Sequence, residues 1–193
     1  MVIITMIIYL LRHGEAERFS HSDAERALTP RGRDEVKSAA GYLLSDFGSA
    51  TSSNIESLDQ MNSLDALKAE LQGLYVMASP YKRAQQSAEI VRAFIGHPHQ
   101  LSTVDAITPD SAPKEALRTI EKEVERSACQ RLLVVSHLPL VALLVGALVE
   151  GEFRPGCSMG TAYLVKLELD YVGLGMANLC WVKPPFSDDK SMG

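Results

Sequence analysis

Met6-Ile7-Ile8-Tyr9-Leu10-Leu11-Arg12-His13-Gly14-Glu15 is the stretch that decides the fold. Its first six residues form an apolar run of strand length. The run is continuous rather than alternating, which predicts a strand covered on both faces, as in a parallel sheet. The apolar character reaches back to Met1. No basic segment precedes it and no small-residue cleavage site follows, so Met1 to Leu11 reads as a buried strand and not as a signal peptide. Arg12 and His13 end it at a length too short to span a bilayer. Met6 is an alternative start, which would make residues 1–5 an extension.

Downstream, the pattern repeats with helices between. Leu28-Thr29-Pro30 supplies an N-cap and a proline for the first helical position, and predicts a helix to about Phe47 with Val36, Ala40, Leu43 and Leu44 on one face. Gly48 to Asn54 is rich in Ser, Thr and Gly and reads as a loop. Ser63 to Leu71 reads as a short amphipathic helix and Leu74–Ala78 as a second strand. Ser79-Pro80 opens a helix to about Ile95. A loop with His97, Pro98 and His99 leads to a helix over Pro113–Ser127. Arg131–Ser136 is a third buried strand, and Pro139 starts an apolar helix through Leu148, again too short to cross a membrane. Thr161–Leu169 alternates, and Met176–Val182 returns beside it across a Gly173/Gly175 turn as a hairpin. The tail from Pro184 is polar. The expected fold is therefore α/β, a three-layer sandwich with a mainly parallel central sheet, helices on both faces and a C-terminal hairpin.

Length and composition agree. The chain has 193 residues, 46% of them apolar and 22% charged, in the range of one globular domain over 1–193. Nineteen Lys and Arg against 24 Asp and Glu give a formal charge of -5, which argues against nucleic-acid or membrane binding. Cys129, Cys157 and Cys180 are scattered, with no CxxC pair and no ligand spacing. A reducing, cytoplasmic compartment fits better than a disulfide framework, and no zinc site is expected. His97-Pro98-His99 has no third ligand nearby and reads as a polar loop, not a metal site. His21 reads as solvent-exposed and Cys157 as a small structural residue. A monomer is expected.

Ligands of such sheets bind outside the carboxyl ends of the strands. Those ends carry Arg12-His13-Gly14-Glu15, Ser79-Pro80-Tyr81-Lys82-Arg83 and Ser136-His137-Leu138-Pro139. Two imidazoles and two guanidiniums thus converge from three segments. Arginine forks match the oxygens of a phosphoryl group. A neutral imidazole can attack phosphorus, and a second, as imidazolium, can stabilise the developing charge. Arginine and histidine already supply the positive field, so neither metal nor cofactor is required. The implied chemistry is phosphoryl transfer through phosphohistidine.

These segments resemble the histidine phosphatase superfamily. Leu11 to Glu15 is similar to its RHG signature, and Ser79 to Ala88 to its SPxxRAxQTA segment. Ser136 to Val141 resembles the SHLPLV segment of the SixA-like phosphohistidine phosphatase branch, and Asp23 to Thr29 that branch's DxxRxLT stretch. The resemblance covers about residues 6–183. It implies that His13 is the nucleophile, that Arg12, Arg83 and His137 hold the phosphoryl group, that Arg26 is a further phosphate contact, and that Asp23 is an acidic residue near the pocket. It also implies a phosphohistidine-containing protein, of the phosphotransfer or phosphocarrier type, as partner.

Larger members place an aspartate directly after the second histidine as general acid; Leu138 stands there. The mutase-like glutamate segment is missing too. A phosphoimidazole, whose P–N bond is labile, needs such an acid least. Glu15, Glu17 and Asp23 are the remaining carboxylate candidates. Residues 48–72 depart from the compact pattern and read as an insertion. Three alternatives stay open: a small-metabolite phosphomonoesterase, a non-catalytic phosphoprotein-binding module, and an interaction protein built around the insertion.

Overall fold

The computed structural model describes residues 5–52, 73–96 and 100–186. Among them run strands β1 (Met6–Arg12), β2 (Leu74–Ala78), β3 (Leu101–Thr103), β4 (Arg131–Ser136), β5 (Leu164–Leu169) and β6 (Ala177–Lys183). The helices are α1 (Pro30–Ser52), α2 (Lys82–Phe94), α3 (Pro113–Ser127) and α4 (Leu140–Glu150). The strands form a sheet in the order β3-β2-β4-β1-β5-β6. β3, β2, β4 and β1 are mutually parallel, and β5 and β6 return antiparallel as the expected hairpin.

Two-sided burial explains the continuous apolar runs. Along β1, Ile8 and Leu10 face a core built with Ala116 and Ile120 of α3 and Leu140, Leu144 and Leu148 of α4. Tyr9 and Leu11 face the other core, with Val36, Ala40, Leu43 and Phe47 of α1 and Ala84, Ala88 and Val91 of α2. The expected three layers are present. β5 alternates: Leu164 enters one core and Val165, Leu167 and Leu169 the other. Its half-buried Lys166 pairs with Asp46 of α1 at 3.1 Å, and the same carboxylate accepts the Tyr9 hydroxyl at 2.6 Å.

The order of the strands positions the site. From β1 the chain travels by way of β2 towards β3; after β3 it reverses, so the right-handed crossover rule sends α1 and α2 to one face and α3 to the other. The segment after β1 therefore leaves for one face while the segment after β4 leaves for α4 on the opposite face. Two adjacent parallel strands whose connections part in this way leave a crevice at their carboxyl ends.

Four sequence expectations change. The helix from Pro30 continues through Ser52, so Gly48–Ser52 are helical and not loop. Ser, Thr and Gly lower helix propensity by a fraction of a kcal/mol to about 1 kcal/mol each, a cost an established helix absorbs. The second helix begins at Lys82, with Tyr81 as its N-cap, rather than at Ser79-Pro80. β3 escaped notice because two half-buried residues and an exposed one on a sheet edge leave no apolar run. In the hairpin the first strand starts at Leu164, after a turn in which Ala162 takes a φ of 54°. The expected Ser63–Leu71 helix, the bulk of the 48–72 insertion, the His97-Pro98-His99 loop, residues 1–4 and the tail beyond Phe186 lie outside the described residues. Phe186 itself is tied by its N–H to the Ser38 hydroxyl at 3.0 Å. None of the described helices is long and apolar enough to cross a membrane.

Candidate active site

Register alone brings three of the segments together. Arg12 pairs with Ser136 across β1 and β4, and Ala78 with Val135 across β2 and β4. The next residues, His13, His137 and Ser79, therefore emerge side by side. Backbone bonds prolong the ladder, from His13 N–H to Ser136 O at 3.0 Å and from Ser79 N–H to Val135 O at 3.1 Å. The His13 and His137 ring centroids lie 4.9 Å apart.

Gly14 turns the chain away from the sheet into the first turn of α1. A Cβ built on Gly14 would sit 2.3 Å from the Gly32 carbonyl oxygen, and one on Gly32 only 2.0 Å from the Glu15 oxygen. Both positions need a bare backbone for this close approach. Thr29 caps α1 by accepting the Gly32 N–H at 2.9 Å, as the sequence implied. The Gly14 N–H reaches Ser87 of α2 at 3.3 Å, which fixes the same loop from the other side.

Hydrogen bonds define the tautomer of His13. His13 Nδ1 lies 2.7 Å from the Gly14 carbonyl, which can only accept, so Nδ1 carries the proton. Nε2 keeps its lone pair. Arg83 Nε–H donates to it at 3.2 Å. Arg83 is nearly fully buried; its Nη2 donates to Asp23 Oδ2 at 2.8 Å and its Nη1 to the Asp23 carbonyl. Arg12 donates from Nη1 to the Met159 carbonyl at 2.9 Å, while its Nε is buried without a partner among the described residues.

His137 Nε2 lies 2.8 Å from the Ser79 hydroxyl, which also receives the Tyr81 N–H at 3.4 Å. With the hydroxyl proton directed at Nε2, Nδ1 becomes a buried donor, and it has no partner among the described residues. An unpaired buried donor costs about 1–3 kcal/mol, a deficit that an anion in the crevice would relieve. Tyr81 packs its ring edge-on to His137 at 5.1 Å and lies under the Arg83 guanidinium at 4.9 Å.

Asp23 and Arg26 come from a loop whose two arms pair, through an Ala16–Leu28 bridge and a Glu17 N–H to Ala27 O bond of 2.8 Å. Gln86 of α2 accepts the Leu28 N–H at 2.8 Å. Asp23 Oδ1 accepts from Arg26 Nη1 at 2.8 Å. Glu15 points elsewhere: its carboxylate accepts from Thr29 Oγ1 at 2.9 Å and lies 3.9 Å from Arg31. His13, Arg83, Asp23 and Arg26 are thus joined by hydrogen bonds and His137 by its ring contact to His13; Arg12 precedes His13 on β1 and is anchored on Met159, and Glu15 is held at the α1 N-terminus. Sequence reasoning missed Ser79, Tyr81, Ser87, Gly32 and the Met159 carbonyl as supports. Ser79 had a signal in its place beside Pro80, but that signal was read as a helix cap.

Burial, with the neighbouring guanidiniums, lowers His13 to about 4 and His137, which also feels His13, to about 2. Both rings are neutral at pH 7. For His13 this leaves a lone pair on the ring, the form a nucleophile needs. For His137, which the sequence reading has stabilise developing charge as an imidazolium, opposite charge must arrive beside the ring before it protonates. Arg26 and then Arg83 hold the Asp23 carboxyl below its ordinary value. A histidine kept neutral in the native state but free to charge on unfolding destabilises the fold in acid. Its contribution is complete above about 6.5 and is lost as pH falls towards 4, at about 1.4 kcal/mol per pH unit per group. The urea midpoint of His13→Asn should therefore fall less steeply than that of the wild type between pH 6.5 and 4; parallel curves would contradict the depressed value.

No protein-family model matches the chain. It is 28% identical over 180 residues to phosphohistidine phosphatase SixA of Escherichia coli (strain K12), spanning 93% of this chain and 94% of that one. It is also 28% identical over 145 residues to a SixA homologue of Haemophilus influenzae, spanning 74% and 77%. A solved structure of the protein histidine phosphatase SixA with tungstate superposes with a TM-score of 0.69 at 26% identity, over 93% of this chain and 97% of that one. In sequence and in fold the chain is SixA-like, similar to the histidine phosphatase superfamily. The expected family is thereby borne out. The described residues include no group of three His, Cys, Asp or Glu placed to hold a metal, and Cys129, Cys157 and Cys180 are free thiols.

Proposed function

We propose that this phosphatase removes the phosphoryl group from phosphohistidine on a signalling or phosphocarrier protein, without a metal. The observation that carries the substrate choice is the state of the carboxylates. Leu138 follows the second histidine where a donor acid would stand, Asp23 is held ionised by two guanidiniums, and Glu15 is engaged with Thr29 and Arg31. A site built this way suits a leaving group that needs no enzyme acid. A substrate imidazole is such a group, departing as the neutral ring once its distal nitrogen holds a solvent proton. The names of the SixA relatives support the same reading.

The steps follow from the contacts. Arg12, Arg83, Arg26 and the Nδ1–H of His137 receive the phosphoryl oxygens. The His13 Nε2 lone pair forms a P–N bond in line with the breaking P–N bond of the substrate, and the substrate ring leaves. Water then attacks phospho-His13, releasing inorganic phosphate and restoring neutral His13. The guanidiniums supply the charge that a metal would otherwise provide. We place the reaction in the cytoplasm, carried out by a single domain acting as a monomer.

The deciding comparison sets turnover of a phosphohistidine protein against that of small phosphate esters, each with and without EDTA. The protein substrate should be favoured by at least a hundredfold in kcat/KM, with EDTA leaving the rate unchanged. Fast ester hydrolysis without phosphohistidine activity would overturn the substrate. Loss with EDTA and recovery with a divalent cation would overturn the metal-free mechanism.

A further inference from the structure

Arg83 is the most heavily committed side chain of the site. Nε–H holds the lone pair of His13 at 3.2 Å, Nη2 holds Asp23 Oδ2 at 2.8 Å, and Nη1 holds the Asp23 carbonyl. The other Asp23 oxygen is taken by Arg26 Nη1 at 2.8 Å. Asp23 therefore bridges two guanidiniums with both carboxylate oxygens. Planar paired donors of this kind are what a phosphoryl group would use.

The partners differ in freedom. Arg83 is 4% exposed and rooted in the first turn of α2. The Asp23 side chain is 54% exposed and stands in a three-residue 3-10 turn, Asp23–Glu25, well outside the sheet. Rotation about its side-chain bonds carries the carboxylate into solvent without moving a strand or a core residue. Among the described residues the hydrogen bonds of that carboxylate go to the two arginines.

We propose that Asp23 is an intramolecular competitor for the phosphoryl subsite. Its carboxylate and the incoming phosphoryl group exclude each other on Arg83 and Arg26, so it sets oxyanion affinity and does not supply a proton. This rests on the reading of the crevice as a phosphoryl site. The exchange has two effects. An anion binds only if its contacts to both arginines outweigh the ion pairs it breaks, which selects dense dianions over carboxylates and monoanions. After turnover the returning carboxylate competes with product phosphate and speeds its release. The arginines also gain a partner at every stage, so no buried guanidinium is left uncompensated.

Calorimetric titration with tungstate, a dianion of phosphoryl size, tests the idea on the wild type, Asp23→Asn and Asp23→Ala. The asparagine keeps a neutral acceptor for the arginines and the alanine removes it. Tungstate should bind at least tenfold tighter to Asp23→Asn than to the wild type, and at least as tightly again to Asp23→Ala. With either substrate class, KM should fall in both variants. Weaker tungstate binding in both would make Asp23 a positioning residue for Arg83 and overturn the proposal. Unchanged affinity, with a kcat loss that steepens for esters with poor leaving groups, would make it the acid and overturn it equally. Failure of tungstate to bind any of the three, wild type included, would instead remove the phosphoryl site on which the proposal stands.

Discussion

His13→Ala abolishes turnover, lowering kcat on a phosphohistidine protein by roughly four to six orders of magnitude, the scale on which covalent nucleophiles fail when removed. The reason lies in one lone pair. Nδ1 of His13 is spent on the Gly14 carbonyl, so Nε2, which accepts from Arg83 at rest, carries the lone pair that attacks. His137 cannot substitute, because its Nε2 faces the Ser79 hydroxyl. Alanine removes a neutral ring and leaves Arg12, Arg83 and Asp23 with their remaining partners, so the fold should survive. Acid-stable labelling is not the right assay, since phosphohistidine is acid-labile; rapid quench into alkali preserves the label. Wild-type protein should show transient label on His13 and the variant none. Turnover within tenfold of the wild type would exclude His13 as nucleophile.

Arg83→Lys preserves the charge and should still lose about 10³-fold in kcat/KM. Removal of a single preorganised donor from an oxyanion site costs about 10²–10³. Arg83 supplies three donors in one rigid plane, divided between His13 Nε2 and Asp23. A lysine head is a point charge that cannot reproduce that fork. Kinetics of Arg83→Lys beside Arg83→Ala give the check: the lysine variant should lie closer to the alanine variant than to the wild type. Recovery to within fivefold of the wild type would mean that charge, not geometry, is what Arg83 contributes.

Much of this was legible from residue order, for a physical reason. Strands buried on both faces must be apolar throughout, so Leu74–Ala78 and Arg131–Ser136 declare themselves, and their ends declare where His137 and Arg83 stand. What local pattern cannot carry is partnership over distance. The Met159 carbonyl beneath Arg12 and the Gly32 backbone against Glu15 have no signature, since any residue offers a carbonyl and any helix tolerates one glycine. Ser79 misled because the same Ser-Pro pair serves helix starts and, here, the imidazole of another strand. The neutral state of His137 is likewise a property of burial, which a sequence does not display.

The opposed backbones of Gly14 and Gly32 carry a lesson for anyone wishing to harden this enzyme. Exchanging a helical glycine for alanine ordinarily raises stability by about 0.5–1 kcal/mol, and α1 offers three candidates. Gly41 and Gly48 have open space where a methyl group would go, whereas at Gly32 it would collide with the main chain of Glu15, two residues from His13. Thermostabilisation is thus available from the middle of one helix onward and forbidden at its first turn, which packs against the loop that carries His13.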